Sequence, residues 1–340
     1  MTIWDDLNAR ARGLSTHLLG RPALEGMARA PDLPTLAAEL TRRGYPVEES
    51  DRASAAGLEL AARRAIAARL RILIRWAGRR TETLAVVFED EDRRSIATLV
   101  RGAVQRAPAE LRLSGLIPTP ELPERALEEL ARQPSPGALA SLLTLWRHPL
   151  APALLPDAAR AQPDLLRIET ALSRIFAQRA LAAARRDGRA GVLYRYVQRV
   201  IDLHNGYAAL VLSGEKEGRD EEQHWLPGGR GIPLPLFQAA IKTRDPVAAG
   251  TRLASGFKGT RLAPVFADIP GAPGGLERAV LAALIAGMRD GTRTAPLSVA
   301  PLLGYALRLR AEALDVRWLV WGISLGAPSE SLVEGLVTAP

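Results

Sequence analysis

The sequence predicts an all-α protein built from three similar helical domains, and three observations carry that expectation. First, Leu, Ala, Arg and Glu dominate a 340-residue chain that is 47% hydrophobic and only 5% aromatic; these residues lose little freedom on entering a helix. Second, apolar residues recur at helical spacing through every long segment, while strand-like alternation is weak. Third, one pattern recurs three times. Each copy opens a long apolar helix with a Leu-Glu or Ile-Glu pair ending at Glu59, Glu169 and Glu277. The glutamates lie 110 residues (59 to 169) and 108 residues (169 to 277) apart. Each copy closes on an acid followed by Leu-Val and a glycine: Glu91 with Leu99-Val100 and Gly102, Asp202 with Leu210-Val211 and Gly214, and Glu312 with Leu319-Val320 and Gly322. From glutamate to tail leucine the count is 40, 41 and 42 residues (59 to 99, 169 to 210, 277 to 319). That period exceeds the common helical solenoids, so each repeat reads as a small domain. The expected divisions are 1–116, 117–231 and 232–340.

In the first copy, Pro31-Asp32-Leu33-Pro34 opens a helix through Leu36, Leu40 and Arg43, which Gly44-Tyr45-Pro46 stops. A long helix over 53–77 follows, with Ile66, Leu70, Leu73 and Ala77 on one face. Gly78 ends it, and Arg79 and Arg80 suit the negative end of its dipole. The next helix carries Leu84, Val87 and Phe88 into the first tail. The run Glu89-Asp90-Glu91-Asp92-Arg93-Arg94 reads as a solvated helix start. Prolines 118, 120 and 123 mark the entry to the second copy, since proline suits a first helical turn. Helices are expected there over 125–132, 138–146, 165–186 and 194–212. Residues 214–231 are polar and glycine-rich, so they read as an exposed loop. The third copy contains Leu234–Ile241, a break at 268–275, a helix through Leu276, Val280, Leu284, Ile285 and Met288, a long helix over 297–320 and a short one over 329–337.

Composition narrows function. With no cysteine, disulfides, thiol catalysis and Cys-ligated metals are excluded. The opening Met1-Thr2-Ile3-Trp4-Asp5-Asp6 has no apolar signal-peptide core, and no run approaches the ~18 apolar residues of a membrane span. The expectation is a cytoplasmic protein that meets a membrane only peripherally. A net charge of +8 permits anionic partners. The arginines are dispersed, however, with no basic tail or aromatic-studded strand, so no nucleic-acid partner is expected.

No constellation suggests chemistry. The histidines His17, His148, His204 and His224 form no i, i+4 pair and no HExxH. Asp202 and His204 are two apart on a helix, so they diverge by about 200° and cannot share a metal. Leu226-Pro227-Gly228-Gly229-Arg230-Gly231 lacks the phosphate-loop pattern and a preceding strand. The stretch from Gly250 to Thr260 puts Phe257 where the loop's lysine should stand. No catalytic residue, metal or cofactor is expected. Glu91, Asp202 and Glu312 are expected to make one common internal contact, capping or pairing with a neighbouring helix.

Asp202-Leu203-His204-Asn205, the Leu226-Pro227-Gly228-Gly229 turn, and the closing stretch from Tyr305 through Glu312 to Asp315-Val316-Arg317 resemble the C subunits of the V/A-type rotary ATPases (ATP synthases), the equivalents of the d subunits of eukaryotic V-ATPases. The resemblance spans residues 30–337 and rests on order and spacing. Ser95 or Arg94 stands in the first copy, and Asp315 in the third, where the pattern of Asp202 and Asn205 expects Asn. The resemblance implies a funnel of three domains around a central cavity, with no active site of its own. It implies a rotor piece, monomeric within its complex, on the cytoplasmic face of the membrane. There it would couple the D and F shaft subunits to the proteolipid c-ring, with the ion-channel component nearby. The competing reading is a helical-repeat adaptor that binds another protein in its concave face.

Overall fold

The computed structural model describes residues 4–188, 191–215, 221–272 and 274–338. Met1 to Ile3, residues 216–220 of the glycine-rich loop, Pro273 and the side chain of Arg79 lie outside the described residues. Every regular element among them is helical, as expected. The helices are α1 (Asp5–Ser15), α2 (Arg21–Met27), α3 (Leu33–Arg42), α4 (Ala55–Ala77), α5 (Thr81–Val104), α6 (Ala109–Leu113), α7 (Glu124–Ala131), α8 (Pro136–Leu145), α9 (Leu155–Ala158) and α10 (Leu165–Ala184). They continue with α11 (Val192–Ser213), α12 (Leu234–Ile241), α13 (Pro246–Leu253), α14 (Ala263–Ala267), α15 (Gly275–Thr294), α16 (Ala300–Ser324) and α17 (Ser329–Glu334).

The short helices extend the repeat beyond its sequence landmarks. In α2, α7 and α12 the same i, i+3, i+4 face is buried: Leu24, Met27 and Ala28; Leu127, Leu130 and Ala131; Phe237, Ala240 and Ile241. The helix that follows starts each time from a side-chain cap with proline in its first turn. Asp32, Ser135 and Asp245 accept from the backbone N–H three residues on, at 2.8, 3.2 and 2.8 Å. Four residues after each cap a buried face begins: Leu36, Ala37 and Leu40; Leu139, Ala140 and Leu143; Ala249, Gly250 and Leu253. The sequence does not predict α13 and α14, because Pro246, Gly250 and Pro264 break the helical pattern in a stretch too short to show a period. Helices α1 and α2 likewise lie where the sequence predicts no element.

Packing joins helices across the sequence repeats. The long helix ending one copy packs on the long helix opening the next: α5 on α10, and α16 on α4. The hairpins α10–α11 and α15–α16 also pack closely, and α11 carries α12 and α13. A smaller core, separate from the main one, is formed by residues between Leu19 and Ala65 and between Val316 and Leu336. Segments far apart in the sequence therefore share one core, whereas Trp4, Leu7 and Ala11 of α1 belong to the main one. Each fully buried leucine of the smaller core, such as Leu24, Leu36 or Leu319, contributes about 2 kcal/mol of apolar burial. Trp318 on α16 secures the last helix by donating its indole N–H to the Leu332 carbonyl at 3.1 Å.

The acidic run from Glu89 to Arg94 is not a solvated helix start. It lies in the middle of α5, with Glu89, Asp90 and Asp92 buried. Burial is tolerated because each acid has a partner from another element or a neighbouring turn. Arg179 of α10 makes a forked pair with Glu89 at 2.6 Å, and Arg93 and Arg94 both reach Asp90 at 2.7 Å.

Candidate functional site

Buried acids on the long helices α5, α11 and α16 organise the molecule. On α11, Asp202 and Asn205 sit one turn apart and point at the same loop. The Asp202 carboxylate accepts the N–H groups of Gly231 at 2.9 Å and Ile232 at 3.0 Å. Asn205 donates to the Leu226 carbonyl at 2.9 Å and accepts the Leu226 N–H at 2.8 Å. The segment from Leu226 to Ile232 is thus fixed at both ends, and Asp202 and Asn205 are 1% and 0% exposed. This corrects the expectation of a wholly exposed loop. Its glycines serve close approach: a Cβ on Gly229 would fall 2.3 Å from Asp202 Oδ1, and one on Gly231 only 2.0 Å from the Gly256 carbonyl oxygen.

On α16 the same spacing is occupied by Glu312 and Asp315. Asp315 accepts the Val337 N–H at 2.6 Å, and the N–H and hydroxyl of Thr338 at 3.0 and 2.6 Å. It lies 22 residues before Val337, as Asn205 lies 21 before Leu226. Glu312 takes up the other chain end. It accepts from the Leu19 N–H at 2.5 Å and the Tyr45 hydroxyl at 2.7 Å, and pairs with Arg69 of α4. On α5 the corresponding buried acid is Asp92. It accepts from the Thr119 hydroxyl, 27 residues on, and lies 3.6 Å from His148 Nε2. Ser95, one turn later, is buried beside it. Burial pushes the carboxyls of Asp92, Asp202 and Asp315 above the usual range, partly offset by these donors.

The expected common contact of Glu91, Asp202 and Glu312 is therefore not what the structure contains. Glu91 is one residue away from the buried position, on another face of α5. It pairs with Arg310 of α16 at 3.1 Å. This ion pair belongs to a polar node where α5, α11 and α16 meet. Burial opposes ionisation of Asp90, but Arg94 and Arg93 outweigh it and hold the carboxyl well below its ordinary value. Tyr196 of α11 is raised by burial and by the Asp90 charge. Burial and the Arg94 charge lower Arg310.

The glutamates that open the long helices differ among themselves. Glu59 is 4% exposed and accepts from the Gly115 N–H at 2.5 Å, the Ser114 hydroxyl at 3.1 Å and the Trp321 indole at 2.6 Å. Glu169 is half-buried and pairs with Arg101 of α5 at 2.6 Å. Glu277 is exposed. His204 lies beside the motif without joining it. Burial, and then the Arg93 charge, lower its pKa to about 3, so it is neutral at physiological pH. Among the described residues no three His, Asp or Glu side chains are grouped to hold a metal ion. No described helix is long and apolar enough to cross a membrane. The acids act on backbone N–H groups and on arginines of neighbouring helices.

Sequence reasoning missed Asp92, His148, Tyr45 and Arg69. Asp92 was visible only as one acid in a run of four. Arg69 and Tyr45 gave no local signal, because their partner lies 243 and 267 residues away.

The model of the ATP synthase (C/AC39) subunit family matches residues 7–334 of the chain. The C subunit of the A-type ATP synthase of Haloferax volcanii is 25% identical over 288 residues, which cover 82% of this chain and 81% of that protein.

Proposed function

We propose that this chain, which belongs to the ATP synthase (C/AC39) subunit family, is a non-catalytic rotor piece coupling the D and F shaft subunits to the membrane proteolipid ring. The observation that carries this reading is the use made of the buried acids. Asp92, Asp202, Asp315, Glu59 and Glu312 are each occupied in holding a loop, a chain end or a neighbouring long helix. Torque transfer asks for stiff long helices tied to one another over a broad area, and these contacts provide such ties.

The proposed architecture is three quasi-equivalent domains around a cavity at the cytoplasmic face of the membrane, with the polar node of Asp90, Glu91, Arg94 and Arg310 turned inward. In space we assign the domains as α5–α10, α11–α15, and α16–α17 with α1–α4. The sequence divisions at 116 and 231 each pass through one of these groups.

The test is an affinity pull-down of the tagged chain from native membranes in mild detergent, followed by mass spectrometry. Recovery of the shaft subunits and the proteolipid supports the coupling role. Recovery of neither, from cells that assemble the rotary ATPase, would overturn it in favour of a helical adaptor.

A further inference from the structure

The long helices α5, α11 and α16 each hold the segment that follows them, but with different chemistry. One turn after Asp92, Asp202 and Glu312 stand Ser95, Asn205 and Asp315. Asn205 takes both polar groups of the Leu226 backbone. Asp315 takes the N–H groups of Val337 and Thr338 and the Thr338 hydroxyl. The first copy keeps the register of the third without a gap. Residues 92–118 match 312–338 at a constant offset of 220, and Leu99-Val100, Gly102, Ala107-Pro108 and Gly115-Leu116 recur at it. Ile117 is therefore the counterpart of Val337, and each lies 22 residues after its helix position, Ser95 or Asp315.

Ser95 is 1% exposed and Ile117 5%. Among the described residues no hydrogen bond reaches the Ser95 hydroxyl, the Ile117 N–H or the Ile117 C=O. A helical serine commonly returns its hydroxyl to the carbonyl four residues back, and Ser95 does not. Buried polar groups are paired as a rule, so three together mark a site. Asp92 does not serve them: one of its oxygens accepts from Thr119, and the other faces His148 Nε2 at 3.6 Å. Serine is also the shortest of the three side chains, with its oxygen directly on Cβ, where Asn205 and Asp315 carry theirs one bond further out. Pro118 stands where Thr338 supplies a second N–H and a hydroxyl. The first turn therefore offers at Ile117 one N–H and one C=O, the same pair that Asn205 takes from Leu226.

We propose that an internal water site lies between Ser95 and Ile117, and that serine and water together do in the first copy what the Asn205 carboxamide does in the second. The water accepts the Ile117 N–H, donates to the Ile117 C=O and bonds the Ser95 hydroxyl. Three polar partners are what an internal water usually has. An aspartate at this position would meet one backbone N–H in place of the three donors around Asp315, leaving a buried charge poorly paired. The inference rests on the equivalence of the three helix positions and not on the identity of any partner.

The test is a crystal structure of the full chain that resolves ordered water, with Ser95→Asn solved beside it and amide exchange at Ile117 measured by NMR in both. The parent should show one solvent peak about 3 Å from both Ser95 Oγ and Ile117 N. In Ser95→Asn the carboxamide should replace that peak and bond both backbone groups of Ile117, as Asn205 bonds those of Leu226. The Ile117 amide should then exchange about tenfold more slowly, because a side-chain acceptor does not leave with the solvent. The site is overturned if the parent shows no solvent peak there, or if Ser95 Oγ bonds Ile117 or another protein group directly. It is equally overturned if the asparagine leaves the peak in place and Ile117 exchange unchanged. Should the variant not fold, the parent structure alone decides.

Discussion

Asp202 with Asn205 on α11 and Glu312 with Asp315 on α16 occupy the same spacing but hold different things. The α11 pair uses its bonds on one loop 21 to 30 residues downstream. The α16 pair grips both ends of the chain, reaching back 293 residues to Leu19 and forward to Val337 and Thr338. One helical position has thus been kept while its target changed. A local target fixes a loop within a packing group. A distant target closes the array on itself, so that residues 19–65 and 316–336 share the smaller core.

That difference predicts unequal consequences. Glu312→Ala should have the largest effect. It removes the partner of Arg69, which is only 14% exposed, and orphans the Leu19 N–H and the Tyr45 hydroxyl. Removing one member of a buried pair costs about 3–5 kcal/mol, read as a lower urea midpoint. Hydrogen exchange should show α2, α3 and α17 opening before α10 and α11. A loss below about 1 kcal/mol, or uniform exchange, would mean that Glu312 does not close the array.

Asn205→Ala should come next. It leaves the Leu226 N–H and C=O buried without their partner, at about 2–3 kcal/mol. Here the damage should stay local, with faster exchange around Leu226 and unchanged protection in the smaller core. Spread of the effect to α2 and α3 would erase the contrast between the two sites.

The same contrast explains what could be read in advance. The all-α class was legible because long amphipathic segments carry their own period, and the repeat was legible because Glu59, Glu169 and Glu277 keep register. Asp202 stood out by its place in the repeat and Asn205 through the family resemblance, whereas their hold on the nearby glycine-rich loop was not read in advance. Glu312 stood out by position, but its partners did not: nothing local marks Leu19, Tyr45 or Arg69 as converging on it. The run from Glu89 to Arg94 misled for the same reason. Its charges are matched by Arg179 and Arg310, supplied from α10 and α16. Local composition cannot show that match. Short helices such as α14, with proline near its start, fall below the length at which periodicity decides.

Asp202→Asn should have the smallest effect at neutral pH, and its pH dependence sharpens the comparison. Burial, opposed by the Ile232 and Gly231 N–H groups, leaves the Asp202 carboxyl above its ordinary pKa. A carboxyl raised on folding favours the fold most when protonated. Its favourable contribution is complete below the unfolded value and is lost as pH rises through the unfolded and then the folded value. At pH 7 the wild-type carboxylate is therefore ionised at some cost, and the asparagine avoids that cost while keeping one oxygen for the Gly231 and Ile232 N–H groups. The variant should lie within about 1 kcal/mol of the parent there. On acidification through the window from the raised value down to the ordinary carboxylate value, the parent should gain relative to the variant, as its carboxyl takes up a proton that asparagine cannot. Urea unfolding of both proteins across that window reads the difference directly. If the parent instead loses ground as pH falls, Asp202 is held by its charge, and its grip on the loop is an ionic one, like that of Glu312 on Arg69.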